Sequence, residues 1–504
     1  MAEYGTVKYG AAKYGAYGTG GADTLLWAIE IDWDGNGLFS GYNEAQHCTA
    51  FSSQRGRNVF VRQDGKGFEH YRTGNAYLTL VNRDGRFDPF NASSPLYPDV
   101  EPGKYINIWV RDGATGNNYD VIAGRVESIE PFRKNDIEYV RISLTDGWRW
   151  LLDHNASIAI QTDTRTDTAI GLILDAVDWP TIWGRALGQG DDIIPYWWED
   201  QRSAAAAIND LVDSENGRFY PAADGTATFE GRNQTNTSVV TITQDEMGRE
   251  ISVLQPWEVV RNVVEVVAHP RISQDGAEIW RLQDTTRVGA GESLALFADF
   301  VYENRKVAGT NLVTPVDTTD YTMNAAADGS GADLTANFTV AITSTFSQTA
   351  KLTITNTGGS DGYITLLRLR GDAIDNPDNV ILKTDGSTGA QPRIFTLDSK
   401  HQQDVNQAVS YSQYLEDYLS NVRRFPAIRL ENRVAEQFTP DLTDRVTLTA
   451  ATISLNDDYR VGMIEHNWLS ENGQAVETRM RFEPFIGVGA LWDVAEWDVG
   501  EWVY

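Results

Sequence analysis

Apolar and polar residues alternate with a period of two along much of this chain, the signature of half-buried β-strands. Tyr77–Val81 carries Leu78 and Leu80 on one face, Tyr105–Val110 repeats the pattern, and Tyr139–Leu152 (YVRISLTDGWRWLL) does so again. Between the first two runs the chain turns at Asn82-Arg83-Asp84-Gly85, where Gly85 supplies a positive φ. Pro89, Pro95, Pro98 and Pro102 then forbid both helix and central strand. The expected result is a proline-stiffened surface loop held between two strands of one sheet, within an all-β unit spanning 24–152.

The period then lengthens. Ala169, Ile170, Ile173, Leu174 and Val177 follow the three-to-four spacing of an amphipathic helix over Asp167–Asp178, ending before Pro180. Ser203–Ser214 repeats it through Ala206, Ile208, Leu211 and Val212, and Asp224-Gly225 marks a hairpin after it. Residues 153–255 therefore read as a mixed α/β domain. Strand patterning resumes at Val259. Residues 289–392 turn rich in Thr, Ala and Asn, with runs such as FTVAITSTF and AKLTITNT, and read as an inserted β-sandwich. The longest helix is expected over 402–424, with Val405, Ala408, Val409, Tyr411, Leu415, Leu419 and Val422 on its apolar face. Strands at Asp444–Ala451, Tyr459–Trp468 and Thr478–Pro484 complete a second β unit, 256–288 with 393–487. The fold class is mainly β with α+β parts.

Both ends carry aromatic residues at five-residue spacing: Tyr4, Tyr9 and Tyr14 in the arm 1–23, Trp492, Trp497 and Trp502 in the arm 488–504. Five matches neither the helical nor the strand period, so these rings cannot share one face. They are expected to be assembly anchors on extended arms, seated in pockets of neighbouring subunits.

At 504 residues the chain should hold three to four domains, and 41% hydrophobic content lets each bury a core. A net charge of −29 opposes phosphate backbones and anionic membranes, so no specific nucleic-acid binding is expected. The single cysteine, Cys48, leaves no intrachain disulfide. No segment approaches the ~20 apolar residues of a membrane span. The N-terminus has no apolar signal region, and a protein made and kept in the cytoplasm is the expectation.

Asp32, Asp34 and Asn36 stand at the first three ligand positions of a calcium loop, with Gly37 at its tight turn. Ser40 and Asn43 then break the pattern, and the bidentate glutamate is missing. The alternatives are a structural hairpin turn and a site binding calcium weakly; no other cofactor is expected. His47 and Cys48 are adjacent, but His70, His154, His269, His401 and His466 share no ligand spacing. Tyr196-Trp197-Trp198 beside Glu199 and Asp200 fits either a sugar-stacking platform or a packing cluster. No catalytic constellation appears, and no enzymatic activity is expected.

The segment YLTLVNRDGRFDPFNASSPLYPDVEPGKYINIWV, followed by GRVESIEP and YVRISLTDGWRWLL, resembles the opening domain of tailed-bacteriophage minor tail proteins, in particular the baseplate or tail-tip hub of long-tailed phages. The succession of helix, GRFY and DG turn resembles the second domain of such hubs, and the ending after the 402–424 helix their second tube-like domain. The resemblance covers roughly 24–285 and 393–485. It implies two tube-like β domains per chain, so that a ring of three copies offers six similar faces to a hexameric tail tube. It implies a homotrimer in the virion, assembled in the host cytoplasm, with a distal tail or tube ring, a tape-measure protein and tail fibres or receptor-binding proteins as partners, and with DNA passing through during infection. Receptor-binding or hydrolase extensions would belong to other proteins. A hexameric distal tail protein is the nearer alternative, and a glycan-binding protein or glycoside hydrolase the remoter one.

Overall fold

A computed structural model describes residues 25–39, 42–57, 61–62, 64–234, 236–247, 250–388 and 391–485. The aromatic anchors Tyr4, Tyr9, Tyr14, Trp492, Trp497 and Trp502 lie outside the described residues. The fold is mainly β with α+β parts.

The first unit has six strands: β1 (Leu25–Ile31), β2 (Cys48–Gly56), β3 (Arg72–Val81), β4 (Tyr105–Asp112), β5 (Asn118–Lys134) and β6 (Ile137–Thr145). Their spatial order is β1-β4-β5-β6-β3-β2. The period-two residues do what their spacing predicts: Leu78, Leu80, Ile106, Ile108, Val110, Val140, Ile142 and Leu144 share one core. The proline-rich excursion between β3 and β4 is more than a surface loop. The Asn82 side chain accepts from the Phe87 N–H at 2.9 Å, and the Ser94 hydroxyl donates to the Arg86 carbonyl at 2.6 Å. These bonds fold the loop inward, so that Phe87, Leu96 and Val100 plug the core. Each such burial contributes about 1.5–3 kcal/mol.

A second unit consists of β7 (Val240–Thr243), β8 (Glu250–Leu254), β9 (Phe425–Glu431), β10 (Arg445–Ala450), β11 (Leu455–Trp468) and β12 (Val476–Pro484). Its order, β7-β10-β11-β12-β9-β8, is that of the first unit strand for strand. The likeness reaches individual residues. β5 bulges between Val126 and Ser128 against β6, and β11 bulges between Val461 and Met463 against β12. Val126 exchanges hydrogen bonds with Gly103 and Lys104, and Val461 does the same with Thr443 and Asp444. Glu130 faces Arg141 across the first hairpin, and Glu465 faces Arg479 across the second. One departure is the β7–β10 pair, which is parallel where β1–β4 is antiparallel.

Strand pairing divides the chain differently from the sequence pattern. Residues 240–254, grouped by pattern with the mixed domain, lie in the second β unit. Conversely, the strand Val263–Ala268 pairs with Val380–Asp385 and Ile394–Asp398 as a separate small sheet. The β-sandwich begins earlier and ends sooner than 289–392: its first strand is Ile272–Arg281 and its last Gly362–Asp375. The mixed layer comprises α1 (Gly147–Asp153), α2 (Thr166–Ala176) and α3 (Ala204–Glu215), packed with the antiparallel pair of strands Asn155–Arg165 and Ile193–Ser203.

On the small sheet lies α4 (Val405–Leu419), shorter than the expected 402–424 because Asp404 caps its N-terminus. Gln402 and Gln403 stay outside the helix and bond to Asp192 and to the Tyr196 carbonyl. Its buried face is Ala408, Tyr411, Ser412, Leu415 and Leu419, whereas Val405, Val409 and Val422 are exposed. A last short helix, α5 (Val434–Phe438), inserts Phe438 against the first core.

Candidate assembly seam

The two β units meet edge to edge. β10 covers one edge of β11 only over Leu455–Arg460. Beyond the bulge that edge is free, and β2 takes it, from Ser52↔Asn467 to Gly56↔Met463. The approach requires glycine at the end of β2. Gly56 has φ +114°, and a Cβ there would lie 2.2 Å from the Gly462 carbonyl oxygen. The Arg57 N–H then donates to that same carbonyl at 2.9 Å.

Side chains lock the junction. The Arg57 guanidinium forks onto Glu483, Nε to Oε1 and Nη2 to Oε2, both at 2.7 Å, and also donates to the Glu69 carbonyl. Burial opposes the charge on Arg57, but the Glu483 carboxylate more than offsets it and holds the group above its ordinary value. Arg55 pairs with Asp441, whose other oxygen accepts from the Ala223 N–H at 2.7 Å and so ties the mixed layer to the seam. Trp27 packs tilted or edge-on among Phe51, Phe438 and Trp468 with centroids 5.1–5.9 Å apart, pairs worth about 0.5–1.5 kcal/mol each beyond area burial. His466 lies against Phe438 and contacts the Thr478 hydroxyl at 2.9 Å. Burial pushes its imidazole down to about 3, so it is neutral at physiological pH.

The β11–β12 hairpin also reaches the outer edge of β1. Gln474 bonds to both the N–H and the carbonyl of Leu25, and the Trp27 indole N–H donates to the Gly473 carbonyl at 2.8 Å. Further along, Ile29 and Ile31 bond to Glu44 and Tyr42. The edge of β1 is thereby covered, as an otherwise adhesive strand requires.

The residues singled out from sequence fall elsewhere. Asp32 accepts from the N–H groups of Asn36 and Gly37, and Asp34 accepts from the Asn36 backbone and side chain. Asn36 in turn accepts from the Leu38 N–H at 2.8 Å. The three side chains thus build the turn after β1, and their oxygens face their own backbone. Trp197 is fully buried, Glu199 is buried against Lys400 at 3.1 Å, and Trp198 lies under Arg271. The aromatic run therefore packs the mixed layer, and Asp200 beside it is exposed. Cys48 is buried with its thiol pushed up to about 12 by burial. Among the described residues no three His, Cys, Asp or Glu side chains are grouped to hold a metal.

One titratable cluster gave no sequence signal, because its members come from three separate segments. Glu215, at the end of α3, accepts from the Thr166 hydroxyl and from the N–H groups of Asp191 and Asp192 at 2.8–3.0 Å. Burial, then the neighbouring Asp192 charge, pushes its carboxyl up to about 8 from an ordinary 4.5. Across that window the folded protein holds a proton that the unfolded chain releases, so stability falls as pH rises through it. Glu215→Gln is expected to flatten this slope and to gain about 1–3 kcal/mol at alkaline pH, measured by urea unfolding at pH 5 and pH 8.

No family model and no curated protein matches this chain. Solved structures do. The tail protein from Neisseria meningitidis MC58 is 9% identical, with a TM-score of 0.50 over 92% of this chain and 97% of that one. The prophage MuSo2 43 kDa tail protein from Shewanella oneidensis is 8% identical, with a TM-score of 0.49 over 91% of this chain and 98% of that one. The prophage tail protein gp18 from Listeria monocytogenes EGD-e is 8% identical, with a TM-score of 0.39 over 91% and 94%. In fold, this chain is similar to the tail protein from Neisseria meningitidis MC58 along nearly the whole length of both chains.

Proposed function

We propose that the chain is a structural virion protein that forms the tail-tip or baseplate hub ring, ending the tail tube and letting DNA pass during infection. The observation that carries the reading is the doubled β unit: one chain presents two six-stranded units of identical strand order, joined by direct strand pairing. Three such chains offer six like faces, which reconciles a threefold ring with a sixfold tube. A distal tail protein with one such unit per chain would leave the second unit unexplained. The role is architectural rather than catalytic, with a distal tail or tube ring, the tape-measure protein and fibre or receptor-binding proteins as neighbours. The net charge of −29 suits a conduit that DNA slides past without sticking.

Light scattering on the tag-free protein across a concentration series tests this. A trimer is the expected result. A hexamer transfers the assignment to the distal tail ring, and a monomer at every concentration counts against a self-assembling hub and in favour of the glycan-binding alternative.

A further inference from the structure

The duplication places an acceptor edge and a donor strand on opposite sides of the chain. β4 pairs with β5 only over Asn118–Arg125, and among the described residues the same edge of β5 has no partner strand beyond the bulge, over 127–134. That is the stretch equivalent to the part of β11 that receives β2. At the other end of the sheet β8 pairs with β9 alone, and its outer edge is the equivalent of the β2 edge that docks on β11.

Exposure differs in the sense a missing neighbour produces. Phe51 and Ser53 in β2 are buried, 3% and 6% exposed, whereas their equivalents Ile251 and Val253 are half-buried and Leu254 is 64% exposed. Met463, Ile464 and His466 in β11 are buried, whereas their equivalents Ser128 and Pro131 are exposed and Ile129 is half-buried.

We propose that β8 of one chain pairs antiparallel with the outer half of β5 in a second copy of this chain, repeating between chains the seam that β2 and β11 make within one. The proposal rests on the ring reading and names its interface. The register follows from the equivalences. Ile251 opposite Ile428 corresponds to Phe51 opposite Leu78, and the two bulges align β5 with β11. Ser252 therefore faces Phe132, Val253 faces Pro131 and Leu254 faces Glu130. Pro131 has no N–H, so one ladder bond is absent. Pro256 stands where Gly56 permits close approach, so the pairing ends at Leu254. Donor and acceptor are different surfaces, which makes the contact heterologous and lets it propagate into a ring. Pro131 with the exposed Glu127, Glu130, Arg133 and Lys134 keeps the acceptor edge from pairing indiscriminately before assembly.

The test is a disulfide across the seam in the full chain. Residues directly opposite on paired strands lie within disulfide reach. The Ser252→Cys/Phe132→Cys double variant, oxidised at concentrations where the wild type associates, is expected to give interchain-linked multimers on non-reducing gels. Their yield should exceed by at least about tenfold that of the pair offset by one residue, Val253→Cys/Phe132→Cys, whose side chains face opposite ways. Both double variants change partly exposed positions, and Ser52→Cys/Asn467→Cys reports the matching bond within one chain. Equal yields from the two registers, or no interchain product from a protein that scatters as an oligomer, would overturn the seam and leave the ring standing. Register-selective products that run as open chains of varied length would uphold the seam and overturn the closed trimer. A monomer with no selective product would overturn both.

Discussion

Glu483→Ala is expected to destabilise the protein by about 3–5 kcal/mol, because it removes the carboxylate that holds a buried guanidinium. Arg57 and Glu483 are 7% and 11% exposed and meet through two parallel bonds of 2.7 Å. Water cannot replace the lost charge without opening the junction of β2 with β11. The loss should appear first at that junction. Amides of 52–56 should exchange faster with deuterium, and the denaturant midpoint of the transition that separates the two β units should fall. Replacing both partners by apolar residues of similar volume, Arg57→Met with Glu483→Leu, should cost far less, since no buried charge is left behind. A double-mutant cycle measured by urea unfolding separates the pair's own contribution from desolvation. Equal losses for Glu483→Ala and for the apolar pair would show that the ion pair does not hold the seam.

Gly56→Ala is the second large effect, with an expected cost of about 3 kcal/mol or more from combined backbone strain and overlap. Its φ of +114° is one that side chains rarely adopt, and the added Cβ would meet backbone, the Gly462 oxygen at 2.2 Å, rather than a side chain able to turn aside. The two strands must separate to admit it. Gly37→Ala is the matched control: Gly37 has φ +77° with nothing within 4 Å of the added atom. Only backbone strain applies there, and the expected cost is about 1 kcal/mol. Thermal unfolding of the two variants side by side gives the comparison, and equal shifts would remove close strand approach as the reason for Gly56.

These two positions share a physical logic. A seam inside one chain is assembled on folding, so it can afford a buried charge pair and a glycine with no tolerance for a methyl group. The outer edges of β5 and β8, which the proposed pairing leaves open before assembly, carry proline, charges and half-buried Ile251 and Val253 instead. An exposed acceptor edge must remain soluble before it is used.

Much of this fold is local, and what is local was legible in the residues. Period-two runs placed β3 and β4, but the run expected as one strand over Tyr139–Leu152 is β6 only to Thr145, because the Asp146 side chain accepts from the Trp148 N–H and starts α1 there. The three-to-four spacings placed α2 and α3 to within a residue or two, and Asn82 to Gly85 marked a true turn. Such patterns depend on neighbours in sequence, each residue's side of a strand or helix being fixed by the one before it. The resemblance to tail hubs came from the same local marks, the turn-forcing residues between β3 and β4.

Tertiary structure alone decided which strands became neighbours. β2 and β11 pair across more than 400 residues of chain, and no local periodicity encodes that choice. The duplication was hidden for a related reason. Ile251 answers to Phe51 and lies 200 residues on, while Ile464 answers to Ile129 and lies 335 residues on, because the sandwich and α4 intervene. Strands β7 and β8, of four and five residues, carry too few positions for alternation to assign them to a sheet. Trp197 and Glu199 fit in sequence either a sugar-stacking platform or a packing cluster, and the packing of the mixed layer, which buries both, decides for the second. The sequence determined where strands and helices form and where the chain must turn. Long-range pairing decided that twelve of those strands make one sheet of two like halves, since burial and backbone hydrogen bonding are satisfied only when distant segments meet.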